Sequence, residues 1–111
     1  MEISKKKEEG MLIVCVNGRL DAVSFPDFDK EIGQLMDEGE TSIIFDLNEL
    51  NYISSAGLRS FLMVAKKLKA KSGKIALTSL QDIVKQVFEV SGFNQILPIF
   101  NSVEEALSEV K

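Results

Sequence analysis

The sequence contains no histidine, and it has one cysteine. Without an imidazole there is no Ser/His/Asp triad, no Cys/His pair, no phosphohistidine carrier and almost no route to a zinc site. The DxDxDG pattern of a calcium loop is absent, as are the phosphate-binding patterns GxGxxG and GxxxxGK[ST]. These absences predict a protein with no catalytic residues, no metal and no cofactor. The single thiol, Cys15, cannot form a disulfide within the chain, and inside the apolar run MLIVCV it reads as a small core hydrophobe. A reducing compartment fits that usage. There is no run of eighteen apolar residues, and the opening MEISKKKEEG lacks the apolar stretch of a signal peptide, so a cytoplasmic protein with no membrane insertion is expected. A basic surplus is also missing. The net charge of −4 speaks against direct nucleic-acid binding, which requires a face that neutralises phosphates.

What is present is ordinary globular composition. Apolar residues make up 45% of the 111 residues and charged residues 27%, enough for one core and one domain spanning residues 1–111. EISKKKEEG and MLIVCVNG read as two strands joined by a tight turn at Glu9 and Gly10, followed by a GRLDAV loop. SFPDFDKEIGQLMDEG carries apolar residues at one-faced helical spacing, and TSIIFDL reads as a buried strand. NELNYI reads as a loop before a helix at SSAGLRSFLMVAKKLKA. KIALTS is a strand, SLQDIVKQVFEVSGF a helix closed by Gly92, ILPIF a short strand and SVEEALSEV a terminal helix. The expected fold is α/β: a mixed, mostly parallel sheet of about five strands with an N-terminal antiparallel hairpin and about four helices. In such folds, partners meet the loops at the carboxyl ends of the strands, where LNELNYISS lies.

Three of the four helix starts pair a serine with an acid three residues on: Ser24 with Asp27, Ser79 with Asp82, and Ser102 with Glu105. The helix after Ile53 does not. From Ser54 it runs Ser, Ala, Gly, Leu, Arg, so its first turn holds no anion and Arg59 sits where the helix dipole disfavours a cation by about 0.3 to 1 kcal/mol. Two readings fit. In one, Ser54 or Ser55 is an ordinary N-cap, Ala56 and Gly57 are small because the helix packs closely on a strand, and Arg59 is solvated. In the other, the open amides receive an anion, which could be attached covalently at Ser55. Leu58, Phe61, Leu62, Ala65 and Leu68 fall on the core side of this helix, while Arg59, Ser60 and Met63 fall on the other. Lys66, Lys67, Lys69 and Lys71 gather at its end as a solvated face that suits the dipole. Asp21 reads either as a turn-stabilising aspartate or as part of a site.

The stretch FDLNELNYISSAGLRSFL resembles the signature of the anti-sigma factor antagonists of the STAS domain family. That signature is a strand ending in Asp, a short loop, and Asp-Ser-Ser/Thr-Gly-Leu at a helix start. GRLDAV resembles the family's Gly-x-Leu-Asp loop, and FEVSGFNQILPIFNSVEEAL its C-terminal stretch. The resemblance implies a single STAS-like domain that binds an anti-sigma factor serine kinase and thereby releases a sigma factor. Phosphorylation by that kinase abolishes binding, and a serine phosphatase restores it. Matched by position, the phosphoacceptor falls on Ser55, with Ser54 as a competing hydroxyl, and Asp21, Gly57 and Leu58 match the loop aspartate and the helix start. The resemblance implies a partner face made of Asp21, Ser54, Gly57, Arg59, Ser60 and Met63. Two positions depart from the pattern: Ser54 stands where the family has an acid, and Ala56 where it has a second hydroxyl. The lost acid motivates an alternative, a constitutive STAS scaffold subunit of a transporter or signalling complex with no phosphoswitch. A small enzyme or nucleotide binder using the open helix end has the least support.

Overall fold

The computed structural model describes residues 1–110. Its elements are β1 (Glu2–Glu8), β2 (Met11–Leu20), α1 (Phe25–Asp37), β3 (Ser42–Asp46), β4 (Leu50–Ile53), α2 (Ser55–Ala70), β5 (Lys74–Thr78), α3 (Asp82–Ser91), a 3-10 turn (Phe93–Gln95), β6 (Ile99–Phe100) and α4 (Val103–Val110). β1 and β2 form the expected antiparallel hairpin, and Glu9 and Gly10 both have positive φ, the geometry of a two-residue turn matched to strand twist. All other pairings are parallel. The sheet runs β1-β2-β3-β5-β6, and β4 adds to the same edge of β2 as β3, further along the strand. The α/β class and the mixed sheet are as expected, with six strands in place of about five.

β2 is buried on both faces, and each face makes its own core. Leu12, Val14 and Val16 belong to the large cluster with α1, α2 and α3. Met11 and Ile13 join Ile44 and Ala76 beneath Ala106 and Leu107 of α4. At the centre of the large cluster the Phe61 ring stands 5.1 Å from both Phe28 and Phe45 and 6.2 Å from Phe88. Alternation along β2 puts Cys15 on the α4 side, beyond that helix's cover. It is therefore half-buried, not a core residue as expected, and its sulfur lies 3.8 Å from Asp46 Oδ2. Burial, with the nearby Asp46 charge, pushes the thiol pKa above its ordinary value.

Several local expectations are corrected. Leu50–Ile53, read as part of a loop, is a strand. Ser24 is the N-cap of α1 as read, but its side chain makes no capping bond: its hydroxyl donates to the Arg19 carbonyl and accepts from the Asp21 amide. Ser79 lies outside α3 at φ 60°, and that helix follows Gln81. Only Ser102 makes the expected capping bond, accepting from the Glu105 amide at 3.1 Å. Gly92 closes α3 in the left-handed conformation at φ 80°. The last strand is shortened to Ile99–Phe100, because Ile96 ends the 3-10 turn and Pro98 has no amide to give. Lys71 is not simply solvated, since its ammonium donates to the Met36 carbonyl at 2.8 Å and closes the end of α1.

Candidate functional site

The start of α2 is placed by the carboxyl ends of β2 and β4. Arg19 pairs with Tyr52 and Leu20 with Ile53, and the Ser54 amide continues the contact by donating to the Leu20 carbonyl at 2.9 Å. Between Gly18 and Arg19 the register shifts, leaving Asn51 as an extra residue, so Leu50 and Ile53 both point inward while Tyr52 points out. From the other side, the Gln81 side chain donates to the Asn48 carbonyl at 2.8 Å and ties the β3–β4 turn to the start of α3.

Ser54 is the N-cap. It has extended backbone, and its hydroxyl accepts from the Gly57 amide at 3.3 Å, while its carbonyl accepts from Leu58 at 2.9 Å. Among the described residues the amides of Ser55 and Ala56 have no partner at the positive end of the dipole, and the first turn holds no acid. Ser55 is the first helical residue and is exposed. Ser54 is thus an ordinary cap, and beside it the exposed Ser55 hydroxyl adjoins the two open amides.

Asp21 lies next to Leu20 in the adjoining loop. Its carboxylate accepts from the amides of Val23 at 3.0 Å and Ser24 at 3.1 Å, and Arg19 Nε is 3.5 Å away. The Ser24 amide, foremost, holds the Asp21 carboxyl below the usual carboxylate range. Asp21 therefore stabilises the turn and keeps its charge at the site's edge. Arg59 is exposed, and Met63, one turn further along α2, is 52% exposed.

Two expected members of the partner face are turned away from solvent. Ser60 is 3% exposed, in the crease between α1 and α2 with Asp29 and Met36, because α1 packs on that side of the helix. Gly57 is buried, and a Cβ there would stand 2.8 Å from the Leu20 carbonyl oxygen and 2.8 Å from Ile53 Cγ1. Its part is close approach: only a glycine lets the helix start seat on the ends of β2 and β4. Gly57→Ala should lower the urea midpoint, because the clash, about 1–3 kcal/mol for overpacking, outweighs the helix-propensity gain of about 1 kcal/mol. An unchanged or raised midpoint would refute the packing role.

Three residues of the rim escaped sequence reading. The Arg19 guanidinium lies 4.2 Å above the Tyr52 ring, a cation–π stack on the outer face of the β2–β4 ladder. Val23, in the neighbouring loop, is 88% exposed. A β4 strand opposite Arg19 was the signal that would have paired them. Among the described residues, no group of three or more His, Cys, Asp or Glu side chains is placed to hold a metal ion, and no helix is long and apolar enough to cross a membrane.

The mixed sheet has a leading hairpin and a capped, acid-free helix start at its carboxyl edge, and the STAS domain family model matches residues 2–106. The chain belongs to the STAS domain family. It is 40% identical over 111 residues to a candidate anti-sigma factor antagonist, BtrV, of Bordetella bronchiseptica, covering 100% of this chain and 96% of that one. It is 29% identical over 98 residues to the anti-sigma-B factor antagonist of Listeria monocytogenes, covering 87% and 85% of the two chains. Among solved structures, unphosphorylated SpoIIAA, an anti-sigma factor antagonist, superposes with a TM-score of 0.82 at 22% identity, over 98% of this chain and 96% of that one. SpoIIAA in its phosphorylated form, from Bacillus, gives 0.73 at 21% identity, over 99% and 100%. At those identities the likeness speaks for the fold.

Proposed function

We propose that the protein is an anti-sigma factor antagonist that works by partner switching. In its unmodified state it binds an anti-sigma factor serine kinase through the rim formed by Asp21, Ser54, Ser55, Arg59 and Met63, and the bound kinase lets go of its sigma factor. Transfer of the γ-phosphoryl group of ATP to the Ser55 hydroxyl, with loss of its proton, ends the complex. Hydrolysis by a serine phosphatase restores it. The observation that carries this reading is the exposed Ser55 hydroxyl on a helix start whose two open amides lack any acid.

The physics of such a switch is asymmetric. A phosphoserine brings about −1.5 to −2 charges, which the domain carries at a favourable dipole end. A docked partner covering the same spot must desolvate that charge. Uncompensated burial costs several kcal/mol, and about 4 kcal/mol is close to a thousandfold in affinity. No refolding is required.

Ser54 bears on the phosphoacceptor. Its hydroxyl is engaged by the Gly57 amide, whereas Ser55 has no such role, which favours Ser55 as the acceptor. The test is incubation of the purified chain with a cognate anti-sigma kinase and ATP, followed by mass spectrometric mapping. One phosphate on Ser55, absent from Ser55→Ala, is the expected result. No phosphate on the wild type, with the Ser55→Ala variant binding like it, would favour the constitutive scaffold to which the missing acid at Ser54 points.

A further inference from the structure

Away from the Ser55 rim, the second half of α2, β5, the edge segment from Ile96 to Phe100 and the end of α4 enclose an open groove of about 730 Å³. Its volume lies inside the range of small-ligand pockets, roughly 300–1,000 Å³. The floor is hydrocarbon: Leu62 and Ala65 from α2, Ile75 from β5, and Ile96, Pro98 and Phe100 from the edge segment. Ile96 is 63% exposed there, and β6 ends the sheet, so no described residue covers this surface.

The polar groups sit at the rim and are unevenly distributed. Lys66 and Lys69 line the α2 side on successive turns, with no ion pair among the described residues. Lys74 is already committed, since its ammonium donates to the Val110 carbonyl at 2.7 Å and fixes the α4 wall. That wall carries Glu109. An acidic amphipathic helix, with anions along its length, would meet cations on one side and a carboxylate on the other. A ligand polar only at one end meets no such conflict.

We propose that this groove binds a single-chain carboxylate of the long-chain fatty acid class, its hydrocarbon on the Leu62–Ile75–Phe100 floor and its carboxylate between Lys66 and Lys69. Lys66 lies roughly 16 Å along α2 from Ser55, so the site is independent of the phosphoswitch and survives its failure. Apolar burial supplies most of the affinity and the lysine pair orients the chain.

The test uses the full chain titrated with monomeric oleate, followed by amide chemical shifts. Saturable changes at Leu62, Ile75, Ile96 and Phe100 are expected. Methyl oleate and the Lys66→Glu/Lys69→Glu variant should each bind about tenfold more weakly, and Ile96→Asp, on an exposed floor position, should weaken binding without unfolding the domain. No saturable change up to millimolar oleate, equal binding of the ester, or changes mapping elsewhere would overturn the assignment. So would binding to vesicles containing phosphatidylglycerol with none to the monomeric acid.

Discussion

Ser55→Asp binds the anti-sigma kinase on the order of a thousandfold more weakly than the wild type, and it unfolds at nearly the same urea concentration. The two halves of that expectation come from the same geometry. Residue 55 is the first helical residue, exposed, beside the open amides of Ser55 and Ala56. An anion there interacts favourably with the dipole by about 0.3 to 1 kcal/mol, so the free domain is unharmed or slightly stabilised. In the complex the same charge is enclosed against the partner with no added donor. Titration calorimetry or interferometry reads the affinity, and urea unfolding reads the stability. Ser55→Ala removes only the hydroxyl and should bind within a few-fold of wild type, which separates the charge from the contact. Full binding by Ser55→Asp would end the partner-switch reading, while a variant that loses stability along with affinity would place Ser55 in the packing of the helix start.

The route from sequence to this site was open in some places and closed in others, for identifiable reasons. Strand and helix order followed from periodicity, because α1, α2 and α3 are each buried along one face and β2, β3 and β5 are apolar along their lengths. β4 was illegible because the extra residue Asn51 breaks the alternation, leaving Leu50 and Ile53 inward with two exposed residues between. Missing that strand hid the Arg19–Tyr52 stack, which exists only through its register. The Ser-x-x-acid pattern placed the start of α1 but not a capping bond there, and it misplaced the start of α3, because its spacing also suits turns. Ser24 turns its hydroxyl back toward Arg19 and Asp21, and Ser79 takes a left-handed turn. Ser60 failed for another reason. A helical wheel divides core from solvent but cannot say that a neighbouring helix, α1, covers a second side.

Phe61→Ala should cost about 3–5 kcal/mol, a large part of the 5–15 kcal/mol typical of a domain. Phe61 is fully buried, and its ring is the one that meets Phe28, Phe45 and Phe88, so it joins α1, β3 and α3 to α2. Truncation removes the shared partner of three rings that come from separate elements, and no one element can move in without leaving another. The cavity therefore stays largely open, which puts the cost toward the upper end. The melting temperature should fall by on the order of 15 °C. Phe61→Leu keeps most of the volume and should cost less than half as much. Both variants also bear on function. Because Phe61 does not reach the surface, partner binding by the folded fraction should be unchanged in Phe61→Leu, and any loss in Phe61→Ala should track the unfolded population measured in the same buffer. A Phe61→Leu protein that is fully folded yet fails to bind would mean that the core sets the pose of the Ser55 helix start more tightly than its seating on Leu20 and Ile53 accounts for.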